Sequence, residues 1–268
     1  MVLRDELIAF IEKTLGTELL AKARLKDIYG NGVQIHGSEN VEKIALGVSM
    51  THDFLAESVS AGAQFCLTHH GLDLTDHNIV ASRIHAGLQA DLKYIFDHDL
   101  TVAGYHYSLD THPEIGNNAT IIKELGAQMT GESYFDEWGY VAEFPKPIAA
   151  DDLASKLAEI TSHDIFTVYG GPKMIKSIGV CTGGAKPYDR ELFEIIDKKI
   201  DAHIAGEIIE PSIAQAEGVG YNYYSCGHYA TEVFGVQELG KKISTPNSKS
   251  NLLICPTHYK KEYAHEPR

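Results

Sequence analysis

Residues 64–71 read Gln64-Phe65-Cys66-Leu67-Thr68-His69-His70-Gly71, an apolar run that ends in two adjacent histidines and a glycine. A short apolar run bounded by a turn residue is typical of a buried strand. Consecutive side chains on a continuing strand would point to opposite faces, but a chain that leaves the strand at Gly71 allows the imidazoles of His69 and His70 to bind neighbouring metals. An ordinary polar strand end would explain the pair equally well.

The residues before this segment complete a strand–helix–strand unit. An apolar run at Ile44–Val48 is followed by a polar turn and by a helical stretch from Phe54 to Ala61. Much the same order recurs over residues 177–207. Alternating strands and helices favour βαβ units with largely parallel strands, and the recurrence predicts an internal duplication. We therefore expect an α/β fold with two related α/β domains, joined by an irregular segment at Gly126–Pro147, although this pattern also recurs in unrelated α/β chains.

Composition narrows the class of protein. With 268 residues, of which 44% are hydrophobic, the chain can bury a sizeable core. Its formal charge of -14 makes sequence-independent binding to nucleic acid electrostatically unfavourable. The four cysteines lie far apart without a C-x-x-C pair, which indicates neither a zinc ribbon nor a disulfide framework. Acidic residues in the first turn argue against a signal peptide, and no apolar run reaches about 18 residues. We expect a soluble cytoplasmic protein without a membrane partner.

Two later segments carry the residues that a metal site at His69-His70 would need. Asp110 ends the segment His106-Tyr107-Ser108-Leu109-Asp110, in what the following Pro, Gly and Asn residues predict to be a turn-rich loop. His228 and Glu232 are four residues apart on a predicted helix and so share one face. Three histidines and two carboxylates are the ligand inventory of a two-metal centre. Taken alone, His228 and Glu232 are better explained as an exposed helix ion pair; the conjunction of three such segments is what favours a metal site.

The other histidines need separate consideration. His106, four residues before Asp110, is a candidate for proton transfer or for orienting a ligand. A single histidine elsewhere is more often solvated or hydrogen-bonded than a metal ligand, and seven are interpreted in this way: His36, His52, His77, His85, His98, His163 and His258.

The chain carries three ordered motifs: HHG, H-x-x-L-D followed by a G-x-N turn, and GH-x-x-T-E. They resemble those of the NIF-three-like family, whose bacterial members are often named GTP cyclohydrolase type 2 homologues. The resemblance implies that His69, His70, Asp110, His228 and Glu232 bind two divalent ions, with a carboxylate bridging them, and that His106 matches the neighbouring motif histidine. Zinc, iron, manganese and nickel all suit these ligands. Tyr107 stands where the family commonly has threonine, which puts the local hydrogen bonding in doubt.

The resemblance also implies an architecture. Members have two related α/β domains, the first completed by the C-terminal segment, and assemble into toroidal hexamers. We therefore expect a metal-binding domain at residues 1–126 plus 219–268, a second domain at 127–218, and a homohexamer.

Three classes of function remain open. The first is a hydrolase that acts on a nucleotide or related small molecule through a metal-activated water, as in a GTP cyclohydrolase reaction. The second is a non-enzymatic metal-binding or scaffold protein of hexameric form. The third, a DNA-associated protein, is disfavoured by the charge of -14.

Overall fold

The structure is a computed structural model that describes residues 1–74, 79–80, 83–244 and 253–256, with only the backbone for 79–80 and 253–256. The chain forms two compact units. Unit 1 comprises Met1–His106 with Leu239–Arg268, and unit 2 comprises Tyr107–Glu238. Both units combine helices with a mixed sheet, which confirms the predicted α/β class.

Unit 1 contains a central sheet, helices and two short strand pairs. Its strands are β1 (Val2–Leu3), β2 (Asn31–Ile35), β3 (Asn40–Val41), β4 (Lys43–Ser49), β5 (Phe65–His70), β6 (Ile79–Val80), β7 (Arg83–Ile84), β8 (Thr101–Tyr105) and β15 (Leu253–Pro256). Its helices are α1 (Arg4–Leu15), α2 (Thr17–Lys26), α3 (His52–Ser60) and α4 (Ala86–Asp97).

The central sheet of unit 1 has the strand order β15-β4-β5-β8-β2. The first four strands are parallel, and β2 pairs antiparallel with β8. Helices α3 and α4 connect the parallel strands and pack Phe54, Leu55 and Ile95 against Cys66 and Val102. Because the inner strands are buried on both faces, they read as continuous apolar runs rather than as alternating patterns. Strand β15 shows that the C-terminal segment completes this sheet.

Unit 2 has longer antiparallel strands beside a parallel centre. Its strands are β9 (Gln128–Tyr134), β10 (Gly139–Ala149), β11 (Phe166–Tyr169), β12 (Met174–Val180), β13 (Ala202–Ala205) and β14 (Asn222–Ser225). Its helices are α6 (Asn117–Leu125), α7 (Ala150–Thr161), α8 (Arg190–Asp197) and α9 (Glu210–Val219), while α5 (His106–Thr111) and α10 (His228–Ile243) also contain residues of unit 1.

The sheet of unit 2 has the order β11-β14-β13-β12-β10-β9, in which β12, β13 and β14 are parallel. Two consecutive residues of β14 pack into different cores: Tyr224 packs with Ile121 and Leu153 on one face, and Tyr223 packs with Ile195 on the other. Helices cover both faces, as is usual for a parallel centre.

The irregular joint predicted at Gly126–Pro147 is wrong. The segment forms β9 and β10, an antiparallel hairpin whose first strand is almost wholly exposed. An exposed strand has no buried face to impose an apolar alternation on its sequence, so the periodicity that reveals other strands is missing. The two compact units divide the chain near residues 106 and 239, whereas the sequence suggested 126 and 219; the domain division at 1–126 plus 219–268 and 127–218 stays a prediction.

The two units share an order of elements. In each, a strand, a helix and a second strand follow one another with the two strands parallel, as β4-α3-β5 in unit 1 and β12-α8-β13 in unit 2. Gly47 pairs with Thr68 in the first case, and Gly179 pairs with His203 in the second. The internal duplication stays a prediction. Among the described residues, no helix has both the length and the apolar character to cross a membrane.

Candidate metal-binding groups

Three imidazoles gather in unit 1. The candidate ligand nitrogens of His69, His70 and His106 all lie within 4.8 Å of one another. The ring centroids are 4.7 Å apart for His69 and His70 and 4.8 Å apart for His69 and His106. His69 is fully buried, whereas His70 and His106 are half-buried. This spacing brings together the predicted ligand pair and the predicted proton-transfer residue.

The end of β5 explains how two consecutive histidines approach each other. The strand ends at His70, as predicted, and Gly71 carries the chain away. A Cβ at Gly71 would lie 2.2 Å from Gln34 Oε1 and 3.0 Å from the Gly104 Cα, so a side chain there would displace Gln34 and crowd the neighbouring backbone. The Thr68 hydroxyl donates to the His70 carbonyl at 2.7 Å, and Ser49 Oγ lies 3.2 Å from His70 Nδ1. These contacts fix the strand end and the ring of His70.

A buried carboxylate orients His106. Asp27 Oδ2 lies 2.8 Å from His106 Nδ1, and the Asp27 side chain is only 2% exposed. The backbone N–H of Tyr29 and the amide of Asn31 also donate to this carboxylate. Burial alone would raise the pKa of Asp27, but the hydrogen bond and charge of His106 hold that pKa below its usual value. Asp27 therefore fixes both the position and the tautomer preference of His106.

In unit 2, α10 begins with His228 and carries Glu232 one turn later, as predicted. His228 Nε2 lies 3.1 Å from Glu232 Oε1, and His228 Nδ1 lies 2.5 Å from Glu207 Oε1. Lys186 makes an ion pair with the other oxygen of Glu207. Burial lowers the pKa of His228, but the hydrogen bonds and charges of Glu232 and Glu207 outweigh it and raise that pKa to about 9. The imidazole is thus held between two carboxylates.

Gly183 provides the space that Glu232 occupies. A Cβ at Gly183 would lie 2.1 Å from Glu232 Oε1, and the residue has a φ of 67°, which favours glycine. Its N–H donates to Thr231 Oγ1 at 3.0 Å. The Gly183-Gly184 turn is therefore a cradle for the buried carboxylate of Glu232, a residue that is 2% exposed.

Asp110 lies in helix α5 and not in the predicted turn-rich loop. The six-residue helix is short because His112-Pro113 ends it, and a segment of this length gives little helical periodicity. Asp110 Oδ1 accepts hydrogen bonds from Asn117 Nδ2 and Thr182 Oγ1, both at 2.9 Å. The ligand oxygens of Asp110 and Glu232 lie within 4.8 Å of each other. Unit 2 thus gathers Asp110, His228 and Glu232.

The donor atoms fit divalent cations. Imidazoles suit zinc, iron and nickel, and carboxylates suit harder ions and can bridge two of them. The protein therefore contains clusters of His, Asp and Glu side chains that could bind metal ions. Tyr107, the departure from the family pattern, is buried; its hydroxyl donates to the Glu137 carbonyl at 2.9 Å and its ring packs edge-on against Trp138.

Sequence reasoning missed Asp27 and Glu207. These are the carboxylates that orient His106 and His228, the first residues of α5 and α10. Asp27 lies 79 residues before His106, and nothing in the local sequence links them. Glu207 lies just after β13, at the end of the segment 177–207 in which the strand–helix–strand order recurs. That position was the available signal for Glu207.

Several histidines outside these groups have structural roles, as expected. His85 caps helix α4, and exposed His52 pairs with Asp91. His77 and His258 lie outside the described residues. His203, not singled out from the sequence, is fully buried between the Tyr134 hydroxyl and the Ala185 carbonyl, and burial lowers its pKa to about 4.

Comparison with known proteins places the chain in a family. A family model described as Duf34/NIF3 (NGG1p interacting factor 3) matches residues 2–262. The chain belongs to the Duf34/NIF3 family. The resemblance inferred from the three sequence motifs is confirmed.

Individual Duf34/NIF3 relatives agree over most of their length. A protein of Escherichia coli (strain K12) named "GTP cyclohydrolase 1 type 2 homolog" is 33% identical over 230 residues, covering 84% of this chain and 88% of the relative. The solved structure of protein ybgI, described as of unknown function, has a TM-score of 0.83 at 27% identity and covers 96% of this chain and 99% of that chain. TTHA1606 from Thermus thermophilus shares the fold, with a TM-score of 0.78, 20% identity, and coverage of 97% and 100%.

Proposed function

We propose that this Duf34/NIF3 protein is a cytoplasmic, dinuclear metal-dependent hydrolase that acts on a nucleotide or a related small molecule, with GTP cyclohydrolase chemistry as the first reaction to test. The observation that carries the proposal is the gathering of His69, His70 and His106, whose ligand nitrogens lie within 4.8 Å of one another. The naming of relatives as GTP cyclohydrolase 1 type 2 homologs supports the choice of reaction.

In this proposal, His69, His70, Asp110, His228 and Glu232 hold two divalent ions. Such ions lower the pKa of water towards neutrality and stabilise negative charge that develops on the attacked group. Glu207 and Asp27 position the imidazoles of His228 and His106, because a carboxylate on one ring nitrogen fixes the role of the other. Positive charge from the ions also offsets the acidity of the chain, which carries a formal charge of -14.

In this proposal, His106 transfers protons during the reaction. Asp27 contacts its Nδ1, so proton transfer is assigned to Nε2. The ring of His106 lies as close to His69 as that of His70 does. Substitution of His106 therefore tests whether it carries a proton or binds a metal.

The test combines metal analysis with a nucleotide assay. Protein purified with its metals is incubated with GTP and related nucleotides, and formate and phosphate release are measured. His69→Ala should lose both bound metal and turnover, whereas His106→Ala should keep metal and lose turnover. His52→Ala, which changes an exposed histidine paired with Asp91, is the control and should change neither.

The outcomes separate the classes of function. Bound metal without turnover across the nucleotide panel overturns the hydrolase proposal and favours a non-enzymatic metal-binding or scaffold protein. Full metal content in His69→Ala contradicts the proposed ligand set. We further propose a homohexamer, for which light scattering coupled to size-exclusion chromatography should give a mass six times 29.4 kDa.

A further inference from the structure

Beside the three imidazoles of unit 1 lies a small cavity whose lining side chains are mostly aliphatic or aromatic. Its volume is about 210 Å³, and six residues line it: Ile28, Tyr29, Gly30, Gln34, Leu72 and Leu74. None of these six residues is charged. Ile28 and Leu74 are 76% and 47% exposed, so two apolar side chains are exposed to solvent at the cavity rim. Exposed apolar side chains grouped around a concavity are typical of a binding surface.

Tyr29 connects the cavity to the imidazoles. Its ring meets that of His106 edge-on, with centroids 5.0 Å apart and planes at 70°. The backbone N–H of Tyr29 donates to Asp27, the same carboxylate that contacts His106 Nδ1. One buried carboxylate therefore fixes both the aromatic wall of the cavity and the imidazole next to it.

The opposite wall is fixed by the backbone. The Gln34 amide donates to the Leu72 carbonyl at 2.7 Å and accepts from the Leu72 N–H at 2.8 Å. Gly71 and Gly104 lie so close that a Cβ on Gly104 would be 2.6 Å from the Gly71 Cα. The cavity is thus preformed, and the single side-chain amide in its wall is already committed to the backbone.

We propose that this cavity binds the planar heteroaromatic ring of the substrate, with the ring against Tyr29 and its reacting edge towards His106. The inference rests on the proposed function for the adjoining imidazoles. An aromatic wall with aliphatic neighbours binds a ring by its face and excludes water. The Gln34 amide is occupied, no lining residue is charged, and the Tyr29 hydroxyl can both donate and accept a hydrogen bond. The cavity therefore recognises ring shape and does not distinguish guanine from adenine by hydrogen bonds to the ring edge.

The test measures equilibrium binding on the metal-loaded full chain by isothermal titration calorimetry. The probes are guanosine, adenosine and ribose 5-phosphate, the last of which has no aromatic ring. Guanosine and adenosine should bind within about threefold of each other. Tyr29→Leu should weaken both roughly tenfold, the loss expected for an aromatic contact, and should leave ribose 5-phosphate binding unchanged. Tyr29→Phe, which keeps the ring, should stay within about twofold of the unsubstituted protein.

Two further variants test the interpretation, one in the cavity wall and one as a control elsewhere. Leu74→Asp changes a half-exposed side chain, so folding is preserved, and its charge in the cavity wall should also weaken nucleoside binding. Tyr188→Leu removes an exposed tyrosine elsewhere, in unit 2, and should have no effect. Metal content and circular dichroism are measured on every variant.

Failure of both nucleosides to bind at millimolar concentration overturns the inference, as does unchanged binding in Tyr29→Leu or a tenfold preference for one base. Formate release is measured separately. Metal-dependent turnover with Tyr29→Leu fully active overturns the cavity assignment alone. Ring binding that depends on Tyr29, without turnover of any nucleotide, supports the cavity and overturns the hydrolase.

Discussion

Two strand-to-helix junctions, one after β8 and one after β14, use the same device in different surroundings. Each helix begins with a histidine followed by tyrosine, and each places a carboxylate four residues later: His106 with Asp110, and His228 with Glu232. Each histidine presents Nδ1 to a carboxylate from a distant part of the chain. The chain thus uses a distant carboxylate to orient an imidazole at two separate places.

The surroundings differ in exposure. At the β8 junction the side chains of His106 and Asp27 are 14% and 2% exposed, and Asp27 accepts two further hydrogen bonds. At the β14 junction those of His228 and Glu207 are 38% and 41% exposed, and Glu207 shares its charge with Lys186. Burial holds the imidazole of His106 in place at the first junction, whereas exposed charges hold that of His228 in place at the second. The position of His228 should therefore depend more on solvent and salt than that of His106.

The largest expected effect comes from a substitution that disrupts the β14 junction. Gly183→Ala places a Cβ 2.1 Å from Glu232 Oε1 at a φ of 67°, which displaces the carboxylate and strains the backbone. Metal affinity should fall roughly 100-fold, measured by competition with a chelator. In Gly184→Ala the nearest atom to the new Cβ is Lys186 Nζ at 3.5 Å, so this neighbouring variant should bind metal normally. Equal losses in the two variants would contradict the cradle assignment.

His203 and His228, both in unit 2, differ in the groups that their rings contact, and this difference predicts how stability depends on pH. His203 contacts a hydroxyl and a carbonyl, not a carboxylate, and its pKa of about 4 lies below the unfolded value of 6.5. Between these values the unfolded chain binds more protons, so the free energy of unfolding falls as pH decreases. The contribution is complete above pH 6.5, and about 3 kcal/mol of it is lost by pH 4.

Urea unfolding at a series of pH values checks this expectation. His203→Gln cannot titrate, so its free energy of unfolding should change less between pH 6.5 and pH 4 than that of the unsubstituted protein. Identical pH slopes for the two proteins would show that His203 protonates without opposing folding.

A paired substitution compares the two orienting carboxylates directly. Asp27→Asn and Glu207→Gln each remove a charge beside an imidazole, and loss of such a partner costs about 10- to 100-fold in metal affinity or activity. Asp27→Asn should in addition lower the melting temperature, because its new NH2 group must face a donor, either the Tyr29 N–H or the Asn31 amide, whichever oxygen it replaces. Glu207→Gln, at a half-exposed position, should leave the melting temperature nearly unchanged. The opposite order of melting temperatures would refute the distinction between buried and exposed junctions.

The smallest expected effect concerns the tyrosine after His106. Tyr107→Phe removes the hydroxyl that donates to the Glu137 carbonyl at 2.9 Å and leaves that acceptor without this donor. The free energy of unfolding should fall by about 1 kcal/mol, with metal content unchanged. Tyr188→Phe, at an exposed position, provides the baseline in the same denaturant titration.

Sequence reasoning succeeded where one segment carries the whole signal. The strand ending at His69-His70, the pair His228 and Glu232 on one helix face, and the strand–helix–strand units all follow from local periodicity. It failed where the partner is distant or the face is exposed. Asp27 approaches His106 only after folding, and the exposed strand β9 has no apolar alternation.

The pairing of β15 with β4 has a consequence for synthesis on the ribosome. Unit 2 is continuous in sequence and all its strands precede β15, so they leave the ribosome before residues 253–256 do. The edge of β4 must wait for that last strand, and an unpaired strand edge is a template for association with other chains. Translation therefore passes through an interval in which the second unit can already be folded while the first still exposes an edge, and chaperone demand should peak there.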